Sequence, residues 1–300
     1  MEPKDAPAVE KNSCGAGGTL YLCATPIGNL EDITLRALRL LKDADLIAAE
    51  DTRHTRKLLA HYGIHTPVTS FHSHSGLKKC EYLLGLLLSG KNLTLVSDAG
   101  MPGISDPGEV LADAAIKSGI RVVPVPGPNA ALAALVVSGL NTSRFCFEGF
   151  LPANNRTRKR RIASLIDEER TTIFYEAPHR LLKTLEELLD KLGDRRLSVA
   201  RELTKHYEEI WRGSLSSALD YFRQNSPLGE FTLVLEGNKN QCREEVKPDL
   251  SAIASQVSCL QDKGTPRPTA IKEVAKMNNI SRKEVYAALL RAKKDAGKET

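Results

Sequence analysis

The sequence predicts an α/β protein made of two successive α/β domains and a small C-terminal helical segment. Three observations lead there. Short apolar runs alternate with amphipathic stretches of helical length up to about residue 237, Gly- and Pro-rich turns follow the apolar runs, and the alternation restarts after "EGFLP" at 148–152. A chain of 300 residues with 41% hydrophobic content is long enough for two domains of ordinary size.

Residues 1–17 carry acids, no arginine and no apolar core, so they read as a disordered lead-in rather than a signal or transit peptide. The first domain spans 18–147. There "TLYLCATP" is a strand, and "DITLRALRLLKDA" has helical spacing with Asp32 as candidate N-cap. "DLIAAE" is a strand, "TRHTRKLLAHYG" a helix stopped by Gly63, and "CEYLLGLLLSG" a helix ending at Gly90. A strand at 93–97, a helix from about Pro107 to Lys117 and the strand "IRVVPVP" complete it. This order predicts a mostly parallel sheet covered by helices.

The second domain, 148–240, opens with the basic helix "RTRKRRIASLIDEE". The strand "TTIFYE", the helix "RLLKTLEELLDKLG", the strand "RLSVARELT", the helix "SLSSALDYFRQ" and the strand "FTLVLEG" follow. Residues 241–300 read as a basic tail with two helices about a short turn, the second opened by a capping box of Ser281 and Glu284.

Several function classes drop out. No apolar stretch approaches the ~20 residues of a membrane helix. The 6 cysteines form no C-x-x-C pair, which suits a reducing cytoplasm and argues against structural zinc. "GLLLSGKN" at 85–92 nearly spells a phosphate-binding loop, but it ends a helix before a strand, the reverse of the required context. No G-x-G-x-x-G follows a strand, so a Rossmann dinucleotide site is not expected. In "FHSHS" alternation would put His72 and His74 on one strand face; without a third ligand a polar or RNA-facing role is expected, not a metal.

What remains is a set of irregular loops, each at the C-terminal end of a predicted strand. They are "TPIGN", "EDTRHT", "SDAGMPGISDPG", "PGPNA", "YEAPHR" and "RELTK". Open α/β sheets bind ligands at that edge. The twelve residues 97–108 are more than chain reversal needs: glycines let the backbone approach a ligand, and Pro102 and Pro107 stiffen the path. Asp106 reads as an N-cap with Pro107 at N1, and Asp98, directly after the strand, as a ligand contact.

Taken together, "TPIGNLEDITLRAL", "AAEDTRHT", "SDAGMPGISDPG", "PGPNA", "EGFLP", "YEAPHR" and "RELTKHYEE" resemble the ribosomal-RNA-modifying branch of the tetrapyrrole methylase superfamily, from about Gly18 to Gly237. The resemblance implies a class III methyltransferase, with S-adenosylmethionine in a cleft between two α/β domains, usually assembled as a homodimer. The implied reaction is 2′-O-methylation of a cytidine ribose in the decoding region of small-subunit ribosomal RNA, on RNA or on the assembled subunit. By position, Pro26, Asp98, Ala99, Gly100, Ile104, Ser105, Asn129 and Ala130 would contact the cofactor from the first domain, and Glu176, Ala200 and Arg201 from the second. Met101 and Asn129 depart from the family's usual residues.

Methyl transfer needs in-line placement of donor and acceptor, and a ribose hydroxyl, being a poor acid, gains from a base. Candidates at the loop edge are Glu50, Asp51, His54, Glu176 and Lys205, with the pair Glu50 and Asp51 preferred; the competing readings are a helix cap for Asp51 and an ion pair with Arg53 for Glu50. Net charge is a mild +5, but "RTRKRR" holds five basic residues in six, and 263–298 carries ten Lys or Arg against three acids. Such patches suit a phosphate-rich partner, with Arg53, Arg156, Arg158, Lys159, Arg160 and Arg161 as the RNA-facing set; a solvated helix face is the alternative. Two other classes stay open: a tetrapyrrole or protein methylase of the same superfamily, and a non-enzymatic RNA-binding protein.

Overall fold

Leu93–Val96 is buried along its whole length because both faces of its strand are covered, the condition for a parallel sheet inside an α/β layer. The computed structural model describes residues 17–72, 76–106, 108–238, 250–278, 281–283 and 285–289. The lead-in before residue 17, Pro107, His74 and Glu284 lie outside the described residues.

The first sheet takes strands β1 (Thr19–Cys23), β2 (Leu46–Ala49), β3 (Val68–Ser70), β4 (Leu93–Val96) and β5 (Arg121–Val125) in the order β3-β2-β4-β1-β5. All neighbours are parallel, as the alternation predicts. Helices α1 (Leu35–Asp43) and α2 (Thr52–His61) bury Ala37, Leu41 and Leu59 on one face with Ile47 and Val125. Helices α3 (Gly76–Leu88) and α4 (Gly108–Lys117) bury Leu83, Leu87 and Leu111 on the other with Leu20 and Leu93. Asp32 does not cap α1. It closes a short 3-10 turn, Leu30–Asp32, and Thr34 caps the helix by accepting the Ala37 N–H at 3.1 Å. His72 lies beyond the end of β3, and the shared strand face expected for His72 and His74 falls partly outside the described residues.

From β5 the chain enters α5 (Ala130–Val137), then a second sheet of β6 (Phe145–Phe150), β7 (Thr171–Glu176), β8 (Arg196–Arg201), β9 (Glu209–Ser214) and β10 (Phe231–Leu235). Its order is β6-β7-β10-β8-β9. Only β6 and β7 pair in parallel; β10 runs antiparallel to β7 and β8, and β8 to β9. Helices α6 (Asn155–Ala163), α7 (Pro178–Leu192) and α8 (Leu215–Gln224) cover one face. Period-two alternation sends Phe174, Val199 and Leu233 to those helices and Ile173, Ala200 and Val234 to α5. "EGF", expected as a domain connection, is instead the end of edge strand β6. Strand β9 escaped the periodicity because its residues are half-buried at the other edge.

A second unit runs from Asn238 to Thr300. Helices α9 (Leu250–Asp262) and α10 (Arg267–Met277), with helical residues at 282–283 and 285–289, gather Ile253, Val257, Ile271, Val274 and Val285 into their own core. Helix α9 adds to the two helices expected. Among the described residues no helix is long and apolar enough to cross a membrane.

Helix α5 leaves the first sheet and packs on the second, with Leu135 2% exposed among Ile173, Ala200 and Val234. Leu135→Ala should therefore cost ~2–5 kcal/mol. Chemical denaturation of the full chain checks this through the unfolding midpoint.

Candidate active site

The C-terminal ends of β1 and β4 are neighbours, and their loops are stitched together. The Thr25 N–H donates to the Gly100 carbonyl at 2.9 Å, and the Gly100 N–H donates back to Thr25 at 3.0 Å. The Thr25 hydroxyl donates to the Ser97 carbonyl at 3.1 Å. Gly100 reaches this pairing at φ 80°, a left-handed conformation that favours glycine. Farther along, the Asp106 carboxylate accepts the N–H groups of Gly103 and Gly108, both at 2.7 Å, so one aspartate folds the second half of the loop and opens α4. Ser105 stands at φ 64°, a strained position for a residue with a side chain.

Against this edge the second sheet presents the ends of β7, β8 and β10. A cleft of about 480 Å³ lies between, within the ~300–1,000 Å³ usual for small-molecule and cofactor sites. Of the residues expected to hold a ligand, Asp98, Ala99, Gly100, Ile104, Ser105, Asn129 and Ala130 line it from the first lobe, and Glu176 and Ala200 from the second. Two residues expected to contact the cofactor are not among those that line the cleft. Ile27, not Pro26, lines the cleft. Arg201 points away, because adjacent strand residues face opposite sides: with Ala200 in the cleft, the Arg201 guanidinium donates to the Leu228 carbonyl and pairs with Glu209. Sequence reasoning missed Phe150, Tyr175, Leu203 and the β10 residues Phe231 and Thr232. Only "EGFLP" and "YEAPHR" hinted at the first two; nothing in "FTLVLEG" marks a site.

Close approach across the cleft explains one glycine. A Cβ on Gly28, in "TPIGN", would lie 2.8 Å from the Leu203 carbonyl oxygen. The two loops meet there with no room for alanine.

The acidic groups differ sharply in setting. Glu50 lines the cleft, and burial together with the Asp98 charge raises its pKa above the ordinary carboxylate value. Asp98 accepts the Asp51 N–H at 2.9 Å, tying the loops after β2 and β4 together. Asp51 does not line the cleft: it caps α2 by accepting the Arg53 N–H at 2.7 Å and is gripped by the Arg53 guanidinium, which holds its carboxyl well below the usual range. The expected ion pair of Arg53 is thus with Asp51 rather than Glu50. Asn129, besides lining the cleft, caps α5 by accepting the Leu132 N–H at 3.0 Å.

Glu176 is 2% exposed, and its charge is matched from two helices. It accepts the Ala177 N–H at 2.9 Å and the Thr184 hydroxyl, and pairs with Arg180 at 3.3 Å and Arg158 at 3.9 Å. Arg158 also donates to Thr184 at 2.7 Å and to Glu187. This corrects the reading of α6. Arg158 is 3% exposed and faces the cleft carboxylate, so it cannot reach a partner's phosphate. Arg156, Lys159 and Arg160 are exposed on the outer face, while Arg161, also exposed, is paired with Glu148. The described residues contain no cluster of three or more His, Cys, Asp or Glu able to hold a metal ion.

Residues 19–219 match the family model for tetrapyrrole (corrin/porphyrin) methylases. Among curated proteins the chain is 49% identical to ribosomal RNA small subunit methyltransferase I of Synechocystis sp. over 93% of this chain and 99% of that one. It is 45% identical to the protein of the same name in Bacillus subtilis over 90% and 94%. Solved structures with the same fold include uroporphyrin-III-C-methyltransferase from Thermus thermophilus, at TM-score 0.53 and 21% identity over 73% of this chain and 94% of that one. Another is cobalt precorrin-4 methyltransferase, at TM-score 0.56 and 19% identity over 73% and 94%.

Removing Arg158 would leave the buried Glu176 with Arg180 alone and the partly exposed Glu187 without this partner, so Arg158→Met should cost ~3–5 kcal/mol of stability. Adding Glu176→Gln should return part of it. The exposed Arg156→Ala should stay within ~0.5 kcal/mol of the parent. Denaturant titrations of the variants read all three.

Proposed function

The chain belongs to the tetrapyrrole methylase family, and from that premise we propose that it methylates the 2′-hydroxyl of a cytidine ribose in the decoding region of small-subunit ribosomal RNA. It is a methyltransferase that uses S-adenosylmethionine. The observation that carries the acceptor is the chain-length match to relatives named for small-subunit ribosomal RNA. The exposed basic face of α6 gives that reading an electrostatic footprint.

The cleft fits such a donor. Ile27, Ile104 and Leu203 give it apolar walls, the irregular 97–106 loop lines one side, and Glu50 and Asp98 carry the charge that complements a cation. When bound, the cofactor supplies a methyl group already activated on a sulfonium. The chain's own task is then to hold donor and acceptor in line and to receive one proton. In this reading Asp98, Ala99, Gly100, Ile104, Ser105, Asn129 and Ala130 hold the cofactor from one side, and Glu176 and Ala200 from the other.

Glu50 is the base we favour. It faces the cleft with a raised pKa, whereas Asp51 is kept ionised by Arg53 and accepts protons poorly. Arg156, Lys159 and Arg160 contact RNA phosphates. The same reading includes a homodimer, for which the exposed Leu132 and Val136 of α5 offer an apolar face, and a cytoplasmic location.

A tritiated methyl donor and small subunits lacking the modification test this directly. Label should appear in 2′-O-methylcytidine; label only in a corrinoid or a protein would overturn the acceptor assignment. Arg156→Ala with Arg160→Ala should weaken RNA binding and flatten its dependence on salt by about one unit of slope for each arginine removed. As a base, Glu50 works ionised, so kcat/KM should fall as pH drops through a pKa higher than an ordinary carboxylate's. Glu50→Gln should remove that limb and lower the rate by ~10²–10⁴.

A further inference from the structure

Phe150 ends edge strand β6 in a way that packing alone does not require. The pairing of β6 with β7 breaks register between Phe147 and Gly149, a bulge of the kind that re-aims a side chain beside an active site. Gly149 makes the turn at φ 63°, and a Cβ there would lie 3.1 Å from the Ser105 hydroxyl. The bulge therefore sets β6 against the strained end of the 97–106 loop.

The next residue benefits. Phe150 lines the cleft yet stays 52% exposed, while Phe231, also in the lining, is 3% exposed. Its ring centroid lies 5.7 Å from that of Tyr175, and Phe147 packs on Tyr175 at 4.9 Å edge to face. Two partly buried rings thus support a third that is open to solvent at the mouth. Leu151, immediately after, is buried at 1%, and α6 begins at Asn155 with Arg156, Lys159 and Arg160 exposed. A supported open ring followed within a few residues by exposed cations is how proteins hold single-stranded nucleic acid: bases stack on the ring and phosphates meet the charge.

We propose that Phe150 is the stacking platform for a nucleobase of the acceptor RNA at the mouth of the cleft. The inference rests on the RNA reading above and adds its recognition element. An unpaired base lying on Phe150 leaves its ribose facing the cleft, while α6 holds the flanking phosphates. Enzymes that act on a nucleotide unstack it and commonly hold the freed base between apolar or aromatic side chains. Of the three aromatics that line the cleft, Phe150, Tyr175 and Phe231, Phe150 is the most exposed.

Phe150→Ala, Phe150→Leu and Phe150→Tyr in the full chain test it. Alanine and leucine should each raise KM for small subunits about 10-fold or more. Tyrosine, which keeps the π face, should stay within about 3-fold of the parent. Calorimetric affinity for S-adenosylhomocysteine should be unchanged in all three. A short RNA with a fluorescent cytidine analogue at the acceptor position should be quenched by the parent and not by Phe150→Leu. If leucine matched the parent, or if the loss fell on S-adenosylhomocysteine and not on RNA, the proposal would be overturned. If the parent labelled no RNA the acceptor assignment would fail, and the quenching measurement would still decide whether Phe150 stacks on a base.

Discussion

Helix α5 sets the geometry on which the cleft depends. Its sequence, AALAALVV, is apolar throughout, and it buries one side, Ala131, Ala134 and Leu135, while Leu132, Val136 and Val137 stay exposed. It begins at the C-terminal edge of the first sheet, where Asn129 caps it and also lines the cleft. It packs through Ala131, Ala134 and Leu135 on the second sheet. At its far end Arg212, on β9, donates to the Val137 carbonyl. Small alanines allow close approach to the second sheet, so one short helix carries the chain from the edge of one sheet onto the face of the other.

Around the cleft, the environment sorts four carboxylates into four tasks. Asp98 ties two loops together through a backbone N–H, and Asp51 caps a helix under the grip of Arg53. Glu176 is buried with its charge matched by Arg158 and Arg180. Glu50 is partly buried beside the negative charge of Asp98, and burial is the larger cause of the raised pKa that suits it to receiving a proton. Their chemical type is the same. Desolvation and the nearest charge make the difference.

The basic helix shows the same division of labour along a single turn. Residues 156 and 160 face outward, while 158 turns inward to the cleft carboxylate, so one face of α6 is a basic surface and the other supports Glu176 from behind. Ion pairing of a buried arginine to a cleft wall anchors the helix and leaves the charge of its outer face open to solvent.

The sequence by itself determined that the first sheet is parallel, four of its five strands, the helices that cover it and the loops that matter. Periodicity and turn chemistry are local, and "SDAGMPGISDPG" and "YEAPHR" announce themselves by residues no simple turn needs. It could not show that "EGF" ends a strand, that Arg201 turns away while Ala200 faces in, or that Thr232 on an unmarked strand lines the cleft. Those depend on which strands become neighbours, and pairing is decided by contacts far apart in the chain. For the same reason Arg158 read as one cation among five: only the packing of α6 on α7 brings it to Glu176 and Glu187, because a charge's role is set by what surrounds it after folding, not by its neighbours in sequence.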